Sequence, residues 1–168
     1  MHATLPRMRD SDFPAIRRKR LETLQVNLGY KCNQSCVHCH VNAGPTRIES
    51  MTREIVDDVL AFARATGITT LDVTGGAPEL NPHFRELVRA ARELDIHVMD
   101  RCNLTILEQP GQEDLARFLA AHRVEVVASM PCYLEQNVDR QRGKGVFDAS
   151  VRGLQALNRL GYGQAGSG

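Results

Sequence analysis

Several absences narrow the reading of these 168 residues before any motif is considered. No apolar run approaches the length needed to cross a bilayer, and the first residues are too polar and charged for a secretory signal. No membrane partner is expected, and a cytoplasmic location is the default. Charge of one sign is not in excess: 21 Lys and Arg face 20 Asp and Glu, a formal net charge of +1, so a polyanionic partner such as nucleic acid is not indicated. The short basic run Arg17, Arg18, Lys19, Arg20 reads as a solvated segment. There is no phosphate-binding loop, no nucleophile elbow and no carboxylate pair set for acid-base work, which leaves hydrolysis unsupported. Repeats of fixed period and low-complexity tracts are also missing.

What remains is a chain that is 42% hydrophobic and alternates between two periods. Alternating apolar residues from Leu24 to Leu28 predict a first strand. Helical spacing predicts a helix from Thr52 to Ala65, with Thr52 as N-cap and Gly67 as stop. The same logic gives strands at Thr69 to Thr74, Ile96 to Met99 and Val124 to Ser129. It gives helices at His83 to Leu94, Glu113 to His122 and Phe147 to Leu160. Four βα units with parallel strands follow, preceded by an extension over residues 1–22, so residues 23–168 form the core domain. Periodicity alone does not separate an open doubly wound sheet from a section of a βα barrel, and both place function at the carboxyl ends of the strands.

The chemistry concentrates after the first strand. Three of the five cysteines, Cys32, Cys36 and Cys39, fall within eight residues, in a loop bounded by Gly29, Gly44 and Pro45. Three thiolates without a fourth suit a [4Fe-4S] cluster that keeps one iron open, because four would close it for structural or electron-transfer use. A zinc site using these cysteines with His38 or His40 is the alternative, although zinc modules usually draw ligands from two separated knuckles. With no secretory signal, a disulfide framework is disfavoured. His40 could also hydrogen-bond a cluster sulfur and tune its potential. His2, His83, His97 and His122 are isolated and read as structural.

The spacing Cys-x3-Cys-x2-Cys resembles the signature of the radical S-adenosylmethionine (SAM) superfamily, with His38 where that family usually has an aromatic residue. The resemblance implies an enzyme built on a partial barrel of six βα units, of which this chain supplies about four. It implies a cluster whose open iron chelates the amino and carboxylate groups of SAM, and reductive cleavage to methionine and a 5'-deoxyadenosyl radical. An electron donor such as flavodoxin or ferredoxin is implied as a partner. Thr74-Gly75-Gly76-Ala77-Pro78-Glu79 resembles the family's Gly-Gly-Glu element, with Ala77 and Pro78 intervening, so the Gly75 and Gly76 carbonyls and Glu79 become candidates for the SAM ammonium. At the next strand ends, Arg101 is a candidate for the SAM carboxylate, and Asn103 and Ser129 for ribose hydroxyls. The ordinary readings beside these are an Arg101 ion pair with an acid such as Glu108, a turn capped by Asn103 and a backbone bond from Ser129.

Within the superfamily, the run from Leu24 to Pro45 and the segments 74–80, 101–105 and 131–143 resemble the arsenosugar-biosynthesis radical SAM proteins. That likeness implies a small-molecule substrate, a methylated arsenical, receiving the 5'-deoxyadenosyl group. Members carry a cysteine-rich carboxyl-terminal region, so this chain is expected to be truncated before a fifth strand. Cys102 and Cys132 then become candidate thiolate ligands for trivalent arsenic, the ordinary reading being small buried hydrophobes.

Overall fold

The computed structural model describes residues 19–164, together with residues 6, 11, 12, 14 and 17. Most of the expected amino-terminal extension and the last four residues lie outside the described residues. The elements run β1 (Thr23–Asn27), α1 (Arg53–Thr66), β2 (Thr70–Thr74), a 3-10 turn (Pro78–Leu80), α2 (Phe84–Glu93) and β3 (His97–Asp100). A second 3-10 turn (Thr105–Glu108), α3 (Leu115–Ala121), β4 (Glu125–Val126), α4 (Glu135–Arg142) and α5 (Val146–Asn158) follow.

The four strands form one parallel sheet in the order β1-β2-β3-β4. The α/β expectation, four parallel strands joined by helical crossovers, is borne out. Helix α1 begins and ends at the residues whose chemistry selects those roles. The Thr52 hydroxyl accepts the Ile55 N–H, and Gly67 takes the left-handed φ of +62° that closes the helix onto the Ala63 carbonyl.

Register divides the sheet into two chemically different faces. Val26, Val73 and Asp100 stand side by side, as do Leu71 and Val98. This face is covered by the apolar stripes of α2 and α3, chiefly Phe84, Leu87, Val88, Leu115 and Leu119, all fully buried. The opposite face carries Gln25, Asp72 and Met99 in register, and its groups pair with one another. Gln25 donates to Asp72 at 2.8 Å, Arg101 grips the same carboxylate through two bonds of 2.8 Å, and His97 meets Glu125 at 2.7 Å. This polar, self-paired face leads to the carboxyl ends of the strands, the end at which βα folds place their functional residues.

Two elements depart from expectation. Strand β4 is two residues long, because its partner bends away at Cys102, whose N–H turns back to the Asp100 carbonyl. Residues beyond Val126 still follow that bend, with Val127 N donating to Asp100 O and Ser129 N to Cys102 O, but the ladder is lost. Helix α4 was not expected, since its sequence EQNVDRQR offers one apolar anchor, Val138. No helix among the described residues is long and apolar enough to cross a membrane.

Candidate functional site

The cysteine loop leaves β1 at its carboxyl end and folds back on the end of β2. Leu28 N donates to Thr74 O, Gly76 N to Gly29 O and Ala77 N to Lys31 O, each at 2.9 Å. Glycine is required there: Gly75 has a φ of +147°, and a Cβ on Gly76 would collide with the Lys31 carbonyl. The two glycines therefore bring the β2 exit against the base of the cysteine loop, a role that adds to the ligand contact inferred from sequence. A second seam joins the loop to the β3 exit, where Asn33 and Gln34 both donate to the Thr105 hydroxyl at 2.9 and 2.8 Å.

Cys32, Cys36 and Cys39 line one cavity of about 280 Å³ at the carboxyl ends of the strands. Gly75, Gly76, Arg101, Asn103, Ser129 and His38 line it as well, so most of the residues singled out from sequence share this space. His40 is also at its wall. Two of the sulfurs accept backbone or amide N–H groups, while the Cys36 thiol donates to Gln34 Oε1 at 3.4 Å. Cys32 Sγ receives the Gln34 N–H at 3.4 Å and the Asn103 amide at 3.6 Å, and Cys39 Sγ receives the Ala43 N–H at 3.3 Å. Such N–H bonds favour the thiolate and tune a bound metal group. Burial pushes the Cys32 and Cys36 thiols up, and the positive charge of Arg142 partly offsets this at Cys36.

The chemistry of the donor set can be tested by spacing. Four ligands on one zinc ion, with bonds of about 2.3 Å, would put neighbouring sulfurs about 3.8 Å apart. The three cysteines form no group of side chains drawn within 4.8 Å of one another, whereas Glu79, Asp100 and Cys102 do. A single tetrahedral ion would therefore require at least one of these sulfurs to move closer to the others.

Three candidates lie elsewhere. Glu79 does not line the cavity: the 3-10 turn after Pro78 carries it behind β3, where it is buried against Asp100 and Cys102. Cys102 does not open to the cavity either, being on the helix-facing side of the β3 exit and fully buried. Burial raises Glu79 to about 7 and raises Asp100 and Cys102 well above their ordinary values, with mutual repulsion adding at Asp100. Cys132 sits outside the cavity at the start of α4. There Asn137 and Leu134 N–H groups donate to its sulfur at 3.4 Å and lower its pKa. Arg101 pairs with Asp72 while remaining at the cavity wall, and Glu108 takes Arg152 instead.

Sequence reasoning missed Arg142. It ends α4, is 8% exposed, and donates to the Ser129 carbonyl and hydroxyl at 2.7 Å each. Its Nε is buried without a partner, and no carboxylate pairs with it among the described residues. A backbone bond from Val37 N to Gln141 O ties this helix end to the cysteine loop. On a polar helix without an apolar stripe, only the short Arg-Gly ending could have drawn attention to it.

A three-sulfur cavity at the mouth of a parallel βα sheet defines a cofactor-dependent class, and the comparisons agree. The sequence profile of the Radical SAM superfamily matches residues 26–167, and the chain belongs to that superfamily. It is similar to the mycofactocin maturase MftC of Mycolicibacterium smegmatis, 28% identical over 139 residues, covering 83% of this chain and 35% of the relative. It is 32% identical over 142 residues to a probable GTP 3',8-cyclase of Saccharolobus solfataricus, covering 84% of this chain and 45% of that protein. In fold it resembles Streptococcus suis SuiB bound to S-adenosylmethionine, with a TM-score of 0.69, 17% identity, and coverage of 84% and 32%. The chain spans about a third of the length of the first of these relatives.

Proposed function

We propose that this chain is the catalytic core of a radical SAM enzyme, with Cys32, Cys36 and Cys39 holding a [4Fe-4S] cluster and SAM occupying the adjoining cavity. The observation that carries this reading is the convergence of the three cysteines, Gly75, Gly76 and Arg142, whose buried guanidinium has no carboxylate partner among the described residues, on one cavity of about 280 Å³. Cys32, Cys36 and Cys39 would hold the cluster, which would supply the reducing electron for cleavage of the SAM sulfonium to methionine and a 5'-deoxyadenosyl group. The chain's own residues bind and orient. The Gly75 and Gly76 carbonyls accept from the SAM ammonium, and Arg142, lacking an internal anion, takes the carboxylate with Ser129 beside it. Arg101 is already committed to Asp72, so the carboxylate role first inferred for it passes to Arg142. Asn103 holds Cys32 in place and contributes to the ribose wall. The electron would come from a flavodoxin or ferredoxin.

For the substrate, the proposal is adenosylation of a methylated arsenical in arsenosugar biosynthesis. Its support is the continuous likeness of residues 24–45 and 131–143 to that subgroup. Of the two thiols considered for arsenic, Cys132 is the accessible one, partly exposed with its pKa lowered, while Cys102 is sealed off.

The test is anaerobic reconstitution with iron and sulfide. A [4Fe-4S] electron paramagnetic resonance signal that SAM perturbs, with release of 5'-deoxyadenosine on reduction, supports the core activity. Stoichiometric zinc at the three cysteines without iron would instead identify a noncatalytic metal-binding module. An arsenic-containing nucleoside formed from a dimethylated arsenical supports the finer reading, and 5'-deoxyadenosine release unaffected by arsenicals would remove it.

A further inference from the structure

Behind the sheet lies a second set of metal-ligating side chains that the SAM cavity does not use. Glu79, Asp100 and Cys102 are 4%, 0% and 0% exposed, and one ligand atom from each lies within 4.8 Å of the other two. All four carboxylate oxygens are buried, and no group outside the trio donates to them among the described residues; the nearest donors would be a protonated Asp100 or Cys102 facing Glu79. No cation pairs with either acid among the described residues. The neighbouring polar groups are engaged elsewhere: Tyr162 gives its hydroxyl to the Val124 carbonyl at 2.8 Å, and Gln112 reaches only the backbone carbonyl of Glu79. Cys102 Sγ receives the Leu104 N–H at 3.4 Å, the same contact, two residues on and of equal length, that Cys32 makes with Gln34.

We propose that Glu79, Asp100 and Cys102 form a second metal site, taking one divalent cation of the zinc class through two carboxylate oxygens and a thiolate. Two buried acids with no donor or cation from outside the trio must be neutralised, since an unpaired buried charge costs several kcal/mol. A sulfur already accepting an N–H beside two bare carboxylates offers three negative ligands to one ion. Tetrahedral zinc with bonds of about 2.0–2.3 Å places its ligand atoms about 3.3–3.8 Å apart, inside the observed span. The mixed sulfur and oxygen set suits a borderline cation better than magnesium or calcium, which take oxygen alone. The ion would join the β2 exit to the β3 exit, the two segments whose other residues, Gly76 and Arg101, wall the SAM cavity.

The test is made on the full chain carrying Cys32→Ser, Cys36→Ser and Cys39→Ser, so it does not depend on the cluster. Zinc-equilibrated, dialysed protein should retain about one equivalent by mass spectrometry. Adding Glu79→Gln or Asp100→Asn should lower retention at least tenfold. Absence of bound zinc in the triple variant, or full retention after Glu79→Gln, overturns the proposal. Should the acid variants fail to fold, cobalt(II) in the triple variant reads the same site: a single thiolate-to-cobalt charge-transfer band supports it, and bound cobalt without that band overturns it. An infrared carbonyl band of protonated carboxyl groups in zinc-equilibrated protein, removed by Glu79→Gln, would show the acids neutralised by protons and also overturn it.

Discussion

Replacing Gly76 by alanine places a methyl group inside van der Waals contact of the Lys31 carbonyl oxygen, 2.9 Å from the Lys31 carbonyl carbon and 3.0 Å from the Ala43 Cβ. The first two obstacles are backbone, and that backbone is held in turn by the bond from Ala77 N to Lys31 O. Relief therefore requires the strand exit and the cysteine loop to part, because no flexible side chain can swing clear. Overpacking by one methyl in such a place costs about 1–3 kcal/mol. For a domain of this size, about 2 kcal/mol lowers the melting temperature by roughly 4–8 °C. The displaced segment carries Cys32, so iron uptake on reconstitution should fall with stability. A control lies in the same loop: a Cβ on Gly44 would meet only the Ser35 hydroxyl, at an ordinary 3.6 Å, and Gly44→Ala should change stability by less than about 0.5 kcal/mol. Thermal unfolding followed by circular dichroism, with iron analysis of the reconstituted protein, reads both. A Gly76→Ala protein that melts with wild type, or a Gly44→Ala protein that falls equally far, would refute the claim that these strand ends are in forced contact.

Other perturbations follow from the same geometry. Arg142→Gln removes a buried charge that holds Ser129 by two short bonds, and a charge-assisted contact worth about 1.5–3 kcal/mol predicts SAM binding weakened about 10- to 150-fold in equilibrium dialysis. Unchanged affinity would exclude Arg142 from the SAM carboxylate. Asn103→Ala removes the acceptor of the Ile106 N–H and the amide that donates to Asn33 Oδ1, and should destabilise by about 1–3 kcal/mol in denaturant unfolding, whereas a cost under about 0.5 kcal/mol would mean that the β3 exit is fixed by other contacts. In metal-stripped protein, Glu79 ionises near 7 when folded and near 4.5 when unfolded, so the fold favours its protonated form. Stability contributed by that proton is complete below pH about 4.5 and is lost as pH rises through about 7, on the order of 3 kcal/mol. Burial raises Asp100 in the same direction, so only the double variant Glu79→Gln, Asp100→Asn should flatten this slope in urea titrations at stepped pH, and a slope that survives both substitutions assigns it to another group.

The βα alternation was legible because each strand and each helix carries its own period. Val151, Leu154 and Leu157 mark α5, for example, just as Thr52 and Gly67 mark the ends of α1. The cysteine loop was legible through spacing alone. Helix α4 was not, since a helix that buries Val138 and one arginine has no stripe, and its role rests on the tertiary bonds from Arg142 to Ser129 and from Val37 to Gln141. The length of β4 was overread for the opposite reason: Val124, Val126 and Val127 have strand character, but a ladder needs a straight partner, and the partner turns at Cys102. Glu79 stands three residues beyond a cavity glycine, yet the 3-10 turn between them rotates it to the far side of the sheet.

That rotation and the parity of β3 together explain how one short stretch can serve two different chemistries. Successive strand residues point to opposite faces, so in Asp100-Arg101-Cys102-Asn103 the even positions begin on the helix-covered face and the odd positions on the polar one. Arg101 and Asn103 accordingly meet the cavity that the three cysteines line. Asp100 and Cys102 enter the apolar layer, where Glu79 arrives from the neighbouring exit. The chain then leaves this geometry through a tight turn, with Leu104 at φ +62° and Thr105 N bonded to Asn103 O at 2.8 Å. A leucine held at positive φ costs on the order of 1 kcal/mol or more, which the surrounding contacts must offset. Those contacts are the Asn103 side-chain Oδ1 accepting from Ile106 and the Cys102 sulfur accepting from Leu104 itself. The strained turn thus fixes Asn103 against Cys32 on one side and Cys102 against the two acids on the other. A change that relaxes it would disturb both sites at once, whereas a change at Arg101 or at Glu79 would be felt on one side of the sheet only.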